Sequence, residues 1–141
     1  DYLLGRSAER NGMMLSAEDL LTRRKFDDAF CQSNYPVDIH GKTLDFASRG
    51  EPVDDGRPYY EIPYGSLVVK GFDNLLVAGR CLGAEFLAQS SLRIMPCCRS
   101  AGEAAGIAAA LALDGKMPAR DVDGRKVRKI MEDRGAVYAE V

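Results

Sequence analysis

Gly79-Arg80 and the segment Ser91-Leu92-Arg93-Ile94-Met95-Pro96 are the residues of this sequence best suited by type and spacing to hold a charged ligand. The apolar run Leu75-Leu76-Val77-Ala78 ends at Gly79, and a long helix is predicted to begin between Ile94 and Cys97. Open parallel sheets bind ligands just beyond the carboxyl ends of their strands. A helix N-terminus adds unpaired N–H groups and the positive end of its dipole. Arg80 contributes a cation at the turn, or else a surface ion pair. Together these features make half of a dinucleotide site. The other usual half, a strand followed by G-x-G-x-x-G and a second helix, is absent from the sequence.

Other residues with chemical potential are fewer. His40 is the only histidine, and Asp38 would share its face of a strand, the pattern of an oriented base. A lone histidine is, however, more often a hydrogen-bonded structural residue. Tyr59, Tyr60 and Tyr64 are either site residues or half-buried strand aromatics. Cys31, Cys81, Cys97 and Cys98 show neither paired C-x-x-C spacing nor a histidine cluster, so no metal site is expected. They read as free buried thiols in a reducing, cytoplasmic setting.

The elements that must position these residues come from periodicity and punctuation. Ser16-Ala17-Glu18-Asp19 has the form of a capping box, and a helix is predicted from Ala17 to about Cys31, with Leu20, Leu21, Phe26, Ala29 and Phe30 on its apolar side. Residues Arg10 to Leu15 before it read as a strand. From Ser33 to Pro58 the chain is rich in Pro, Gly, Asp and Ser, which indicates loops and short strands. Tyr35 to His40 and Tyr59 to Tyr64 alternate as strands do, and Pro63 places the second at an edge or a strand end. The continuous apolar run from Leu75 to Ala78 suits a parallel strand covered on both faces.

The long helix should end near Asp114-Gly115, with Gly115 as its left-handed stop and Pro96 harmless in its first turn. A last helix is expected from Gly124 to Arg134, with Val127, Ile130 and Met131 buried and Gly135 as terminator. On the long helix, Cys98, Gly102, Ala105, Gly106, Ala109 and Ala112 fall on one side. A helical glycine costs about 1 kcal/mol relative to alanine. Either close approach of another backbone or cofactor, or tight packing on a sheet, would account for two of them.

Whole-chain properties narrow the function. With 141 residues, 46% hydrophobic and 28% charged, the chain can build a globular core. Nineteen basic and twenty-one acidic side chains, with neither sign in a long run, give no footprint for nucleic acid. No apolar run approaches the ~20 residues of a membrane span. The chain opens on Asp1-Tyr2 in structured-looking sequence, so it is expected to be a C-terminal piece of a longer protein.

Residues 59–112, YYEIPYGSLVVKGFDNLLVAGRCLGAEFLAQSSLRIMPCCRSAGEAAGIAAALA, closely resemble the C-terminal part of a family of FAD-dependent oxidoreductases. Its pattern runs I-P-Y-x-S-L, then N-L-L-V-A-G-R-C, R-x-M-P-x-C and G-x-A-A-G-x-A-A-A. The likeness continues more loosely upstream through Leu15 to Asp19 and Tyr35 to His40. It implies α/β architecture of the glutathione-reductase-like kind: residues 66–141 as the C-terminal part of an FAD/NAD(P)-binding Rossmann-like domain, and residues 1–65 as part of a mixed-sheet substrate domain.

The resemblance implies that FAD is held by Gly79, Arg80 and residues Ser91, Leu92, Arg93, Ile94, Met95 and Pro96. His40 and Tyr64 become substrate-site candidates by location. Many related flavoproteins carry Gly-Asp where this chain has Gly79-Arg80. Arg80 cannot accept the ribityl hydrogen bond made by that acid, so its contact is expected with the pyrophosphate or a carboxylate. The expected partners are a small organic substrate that gives a hydride to flavin, the N-terminal FAD-binding part of the same protein and, for an oligomer, a second copy. A non-catalytic interaction module that keeps the fold is the alternative class.

Overall fold

The structure, a computed structural model, describes residues 14–39, 42–44 and 58–139. Ser16 accepts the Asp19 amide at 3.1 Å, and the Asp19 carboxylate accepts the Ser16 amide at 2.9 Å, so the expected capping box forms and starts helix α1, Ala17–Leu21. The helix does not reach Cys31. Thr22 caps it, Arg23 takes a left-handed φ of 51°, and Ala29–Ser33 is strand β1. Phe26, Ala29 and Phe30 have helical spacing, but tertiary pairing overrides it. Ala29, Phe30 and Cys31 are buried in succession in a strand that packs against two later helices.

Strand β1 pairs antiparallel with β4, Tyr60–Pro63, with Gln32 opposite Glu61 and Ser33 opposite Tyr60. The register shifts between Ala29 and Cys31, which marks a bulge. Pro63 stands at the strand's end, as its missing N–H requires. A second antiparallel pair joins β2, Val37–Ile39, to β3, Lys42–Leu44. Of the strand expected over Arg10 to Leu15, only Met14 and Leu15 lie among the described residues, and Leu15 makes a single parallel bridge to Ala84.

The run Leu75 to Ala78 is not a doubly covered parallel strand here. Leu76 makes one antiparallel bridge to Val68, the Val77 amide donates to the Leu67 carbonyl at 2.8 Å, and Leu75 remains 41% exposed. A parallel strand needs hydrogen-bonding neighbours and two covering layers. Among the described residues neither sheet is parallel and neither includes this run, so it has no parallel neighbour.

Three helices complete the order: α2 at Phe86–Leu92, α3 at Met95–Gly115 and α4 at Gly124–Asp133. Pro96 lies in the first turn of α3 as expected. The stop shifts by one residue, because Gly115 remains helical and Lys116 adopts the left-handed cap with φ 48°. Helix α4 matches its expected limits. Val127 and Met131 are buried, Ile130 is half-buried, and Gly135 follows with φ +100°. One core cluster draws on residues from Leu15 to Met131, with β1, β4, α3 and α4 around it. Helix α3 leaves Gly102, Gly106 and Ala109 exposed among the described residues.

Candidate cofactor site

Gly79 has φ +71°, a conformation that disfavours any side chain, and it opens the tight turn Gly79–Cys81. A β-carbon placed there would stand 3.9 Å from Cys98 Cβ, so the turn lies against the first turns of α3. From the other side, Gln89 in α2 donates through Nε2 to the Arg80 carbonyl at 2.8 Å. The chain from Phe86 to Cys98 thus folds back as a short helix, a two-residue break and a long helix around that turn. The Gly79-Arg80 turn and the start of α3, 14 or more residues apart in sequence, are brought together.

The residues expected to hold a cofactor divide by exposure. Ser91 and Leu92 are wholly buried and direct their side chains inward. Arg93 and Ile94 are half-buried, while Met95, 78% exposed, and Pro96 stand open. Arg80 is exposed, and no carboxylate among the described residues forms an ion pair with it. No side chain caps α3 and no acid occupies its first turn, so the positive helix end is left uncompensated.

Two polar atoms of α2 are buried without hydrogen-bond partners, Gln89 Oε1, on the residue that bonds this turn, and Ser91 Oγ. Such atoms carry a desolvation cost. Gln89 was not singled out by the sequence, where it is an ordinary helical glutamine. Its role comes from the fold, which aims its amide at the Arg80 carbonyl. Cys98 faces the same turn, and burial raises its thiol pKa, with a further push from Cys97 and an opposing pull from Arg80.

Tyr64 is fully buried, and its hydroxyl donates to the Ala119 carbonyl at 2.6 Å. Tyr59 and Tyr60 are also buried: Tyr59 donates to the Ala139 carbonyl at 2.6 Å, and Tyr60 reaches Ser33 Oγ at 3.2 Å. His40 lies outside the described residues. The sequence reading also passed over Glu61. It is 4% exposed and accepts the Phe26 amide at 2.8 Å and Gln32 Nε2 at 3.0 Å. Strand alternation gave no sign that this carboxylate would point inward.

Beyond the turn, a groove of about 710 Å³ runs along α3 between Ala105, Ala109 and Ala112 on the helix and Leu75, Leu76 and Asn74 on the incoming segment. Gly102 and Gly106 are exposed, and a β-carbon at either would meet nothing within 4 Å. Tight packing of this side on a sheet of the chain itself, one of the two explanations for its glycines, does not occur among the described residues. Nor do the described residues contain a cluster able to hold a metal ion, or a helix long and apolar enough to cross a membrane.

The described residues of this mixed α/β chain bring together a glycine turn, a guanidinium without an ion pair and an uncapped helix start. Residues 10–131 match the FAD dependent oxidoreductase family, and the chain belongs to it. No curated protein and no solved structure matches the sequence. The family's cofactor is FAD. The residues at the turn fit an anionic dinucleotide: Gly79 leaves the backbone approachable, Arg80 is unpaired among the described residues, and the orphaned Gln89 Oε1 can accept a hydrogen bond. A flavin held by these residues would supply the two-electron chemistry that no side chain can provide.

Proposed function

We propose that this chain forms the C-terminal part of a flavoprotein of glutathione-reductase-like architecture, in which an organic substrate gives a hydride to FAD. Residues 66–141 complete the Rossmann-like FAD domain and residues 1–65 contribute to the substrate-facing sheet. The observation that carries this reading is the convergence of the Gly79-Arg80 turn with the uncapped start of α3. Arg80 acts as an electrostatic partner of the pyrophosphate, while the helix end and the backbone from Arg93 to Pro96 favour the negative charge that grows on the flavin's pyrimidine edge.

The remaining share of the site belongs to a G-x-G-x-x-G strand–helix unit, which this sequence lacks. The open side of α3 and the run Leu75 to Ala78, which joins neither described sheet, support the idea that such a unit packs there. The substrate is a small molecule, and its specificity rests on residues outside the turn.

Two measurements test the reading. The intact protein is expected to be yellow as purified, and anaerobic addition of its organic substrate is expected to bleach the flavin's visible band. A colourless protein that cannot be loaded with FAD overturns the proposal. The 141-residue chain alone is expected to bind FAD weakly or not at all in a fluorescence titration. Tight stoichiometric binding there removes the need for a separate Gly-rich unit.

A further inference from the structure

We propose that Gln89 is the positioning residue of the cofactor turn: by holding the Arg80 carbonyl on α2, it sets the direction in which the Arg80 guanidinium is offered to FAD. The inference rests on the reading of the Gly79-Arg80 turn as a dinucleotide contact, and it names the residue that keeps that turn in place. Gln89 Nε2 donates to the Arg80 carbonyl at 2.8 Å, across nine residues of sequence.

The turn needs a hold from outside itself. Gly79, at φ +71°, has no side chain to limit its rotation, and within the turn the Leu82 amide reaches the Gly79 carbonyl only at 3.3 Å, a long bond. The exposed Arg80 side chain forms no ion pair among the described residues that would fix it. A carbonyl oxygen carries negative partial charge, so a turn free to rotate could set the Arg80 oxygen, rather than its guanidinium, against a phosphate. Gln89 removes that alternative by engaging the oxygen on α2. The base is firm. Ala88 and Leu92 on either side of Gln89 are wholly buried, and the Gln89 backbone N–H donates to the Glu85 carbonyl at 2.7 Å. Glu85 in turn donates its amide to the Leu15 carbonyl at 2.9 Å and accepts the Ala17 amide on Oε2 at 3.1 Å.

Folding alone gives little reason for a glutamine here. An amide N–H must face a carbonyl, so the side-chain oxygen takes the other side, where Oε1 is buried with no hydrogen-bond partner. A buried acceptor left unmade carries a desolvation cost. The bond made by the other end of the amide lies at the exposed surface, where water can serve the Arg80 carbonyl equally well. An apolar side chain of similar size would avoid the cost. The amide is therefore spent on the turn and not on the stability of the chain.

The test is fluorescence titration of FAD into the intact protein and its Arg80→Gln, Gln89→Leu and doubly substituted variants, with thermal melts of the FAD-free proteins. Gln89→Leu is expected to melt no lower than the unaltered protein, because it removes an unsatisfied buried acceptor. It should nevertheless raise the FAD dissociation constant roughly tenfold, the scale of one charge-assisted contact. The double variant should bind no more weakly than Arg80→Gln alone, because residues that act through one contact are not additive. Gln89→Glu keeps the shape but has no N–H to give, and it should also weaken binding, which decides the matter if the leucine variant fails to fold. Unchanged FAD affinity in the Gln89 variants overturns the proposal, as does a double variant in which the two losses multiply. Both results leave the flavoprotein reading standing where Arg80→Gln weakens binding. Arg80→Gln with unaltered affinity overturns the proposed route through Arg80, and an intact protein that takes up no FAD overturns the flavoprotein reading and this proposal together.

Discussion

The two sides of α3 are built from the same small residues and have met different fates. Cys97, Ala101, Ala104, Ile107 and Ala108 are buried against β1, α4 and the rest of the core, whereas Gly102, Gly106 and Ala109 are exposed among the described residues. Small side chains on the inner side let the strand and helices come close. On the outer side the same smallness serves no packing among the described residues. Two exposed helical glycines are unfavourable by about 1 kcal/mol each relative to alanine. One side of the helix is therefore explained by the described fold, and the other is covered by none of the described residues.

Gly124 sharpens the contrast, because it is a helical glycine whose space is already taken. A β-carbon there would stand 2.6 Å from Tyr64 Cβ and 2.7 Å from Asp28 Cβ. Tyr64 is held by its bond to the Ala119 carbonyl and by complete burial, and its amide donates to the Asp28 carbonyl at 3.0 Å. Gly124→Ala is expected to destabilise by roughly 1–3 kcal/mol through overpacking. Urea denaturation would measure it, and a change below about 0.5 kcal/mol, the size of an ordinary surface effect, would show that the inner packing yields more easily than the geometry implies.

The next largest effect is at the tail, which straps the inner layer. Tyr138 donates to the Phe30 carbonyl at 2.9 Å, and the Ala139 amide donates to Gln32 Oε1 at 2.7 Å. Tyr138→Phe should cost about 1 kcal/mol, the net value of one hydrogen bond. Burial also raises the Tyr138 hydroxyl pKa to about 12. Its folded pKa thus lies above the ordinary 10, so the stability it contributes is complete below pH 10 and lost as pH rises through 12. The alkaline limb of a thermal-melt series should accordingly be shallower in Tyr138→Phe. An unchanged limb would assign the alkaline loss to Tyr60, which burial also raises.

What was legible beforehand follows the same division. Local signals carried well: Ser16 with Asp19, Pro96 at a helix start, and the Val127, Ile130 and Met131 stripe depend on neighbours within a turn or two. Two elements misled because their structure depends on distant partners. Ala29 to Ser33 became a strand through residues 60–63, and Leu75 to Ala78 lacked the neighbours a parallel strand requires. At the candidate site, the glycine turn and helix start could be read from order and spacing. The contact of Gln89 with Arg80 could not, since it arises from packing between elements with no local signature.

Gly102→Ala and Gly106→Ala reverse the sign of the Gly124 experiment. With nothing within 4 Å of either added carbon, each should stabilise this chain by roughly 0.5–1 kcal/mol, the helix preference of alanine over glycine. In the intact flavoprotein, the same variants should weaken flavin retention if a Gly-rich unit lies against that side. Stabilisation of the chain together with unchanged flavin retention would leave the outer glycines without a structural reason.

Arg80→Gln should have the smallest effect on stability, within about 0.5 kcal/mol as for an exposed side chain away from special features, because Arg80 forms no ion pair among the described residues. Its effect should appear in cofactor binding. Loss of one charge-assisted contact corresponds to about 1.5–3 kcal/mol, or roughly a tenfold or greater rise in the FAD dissociation constant of the intact protein. A stability change without a binding change would move Arg80 from the open region to the packed one. A binding change alone would confirm that the turn at Gly79 serves what lies outside the chain's own core, because a surface guanidinium that contributes nothing to folding has only a ligand or a partner left to act upon.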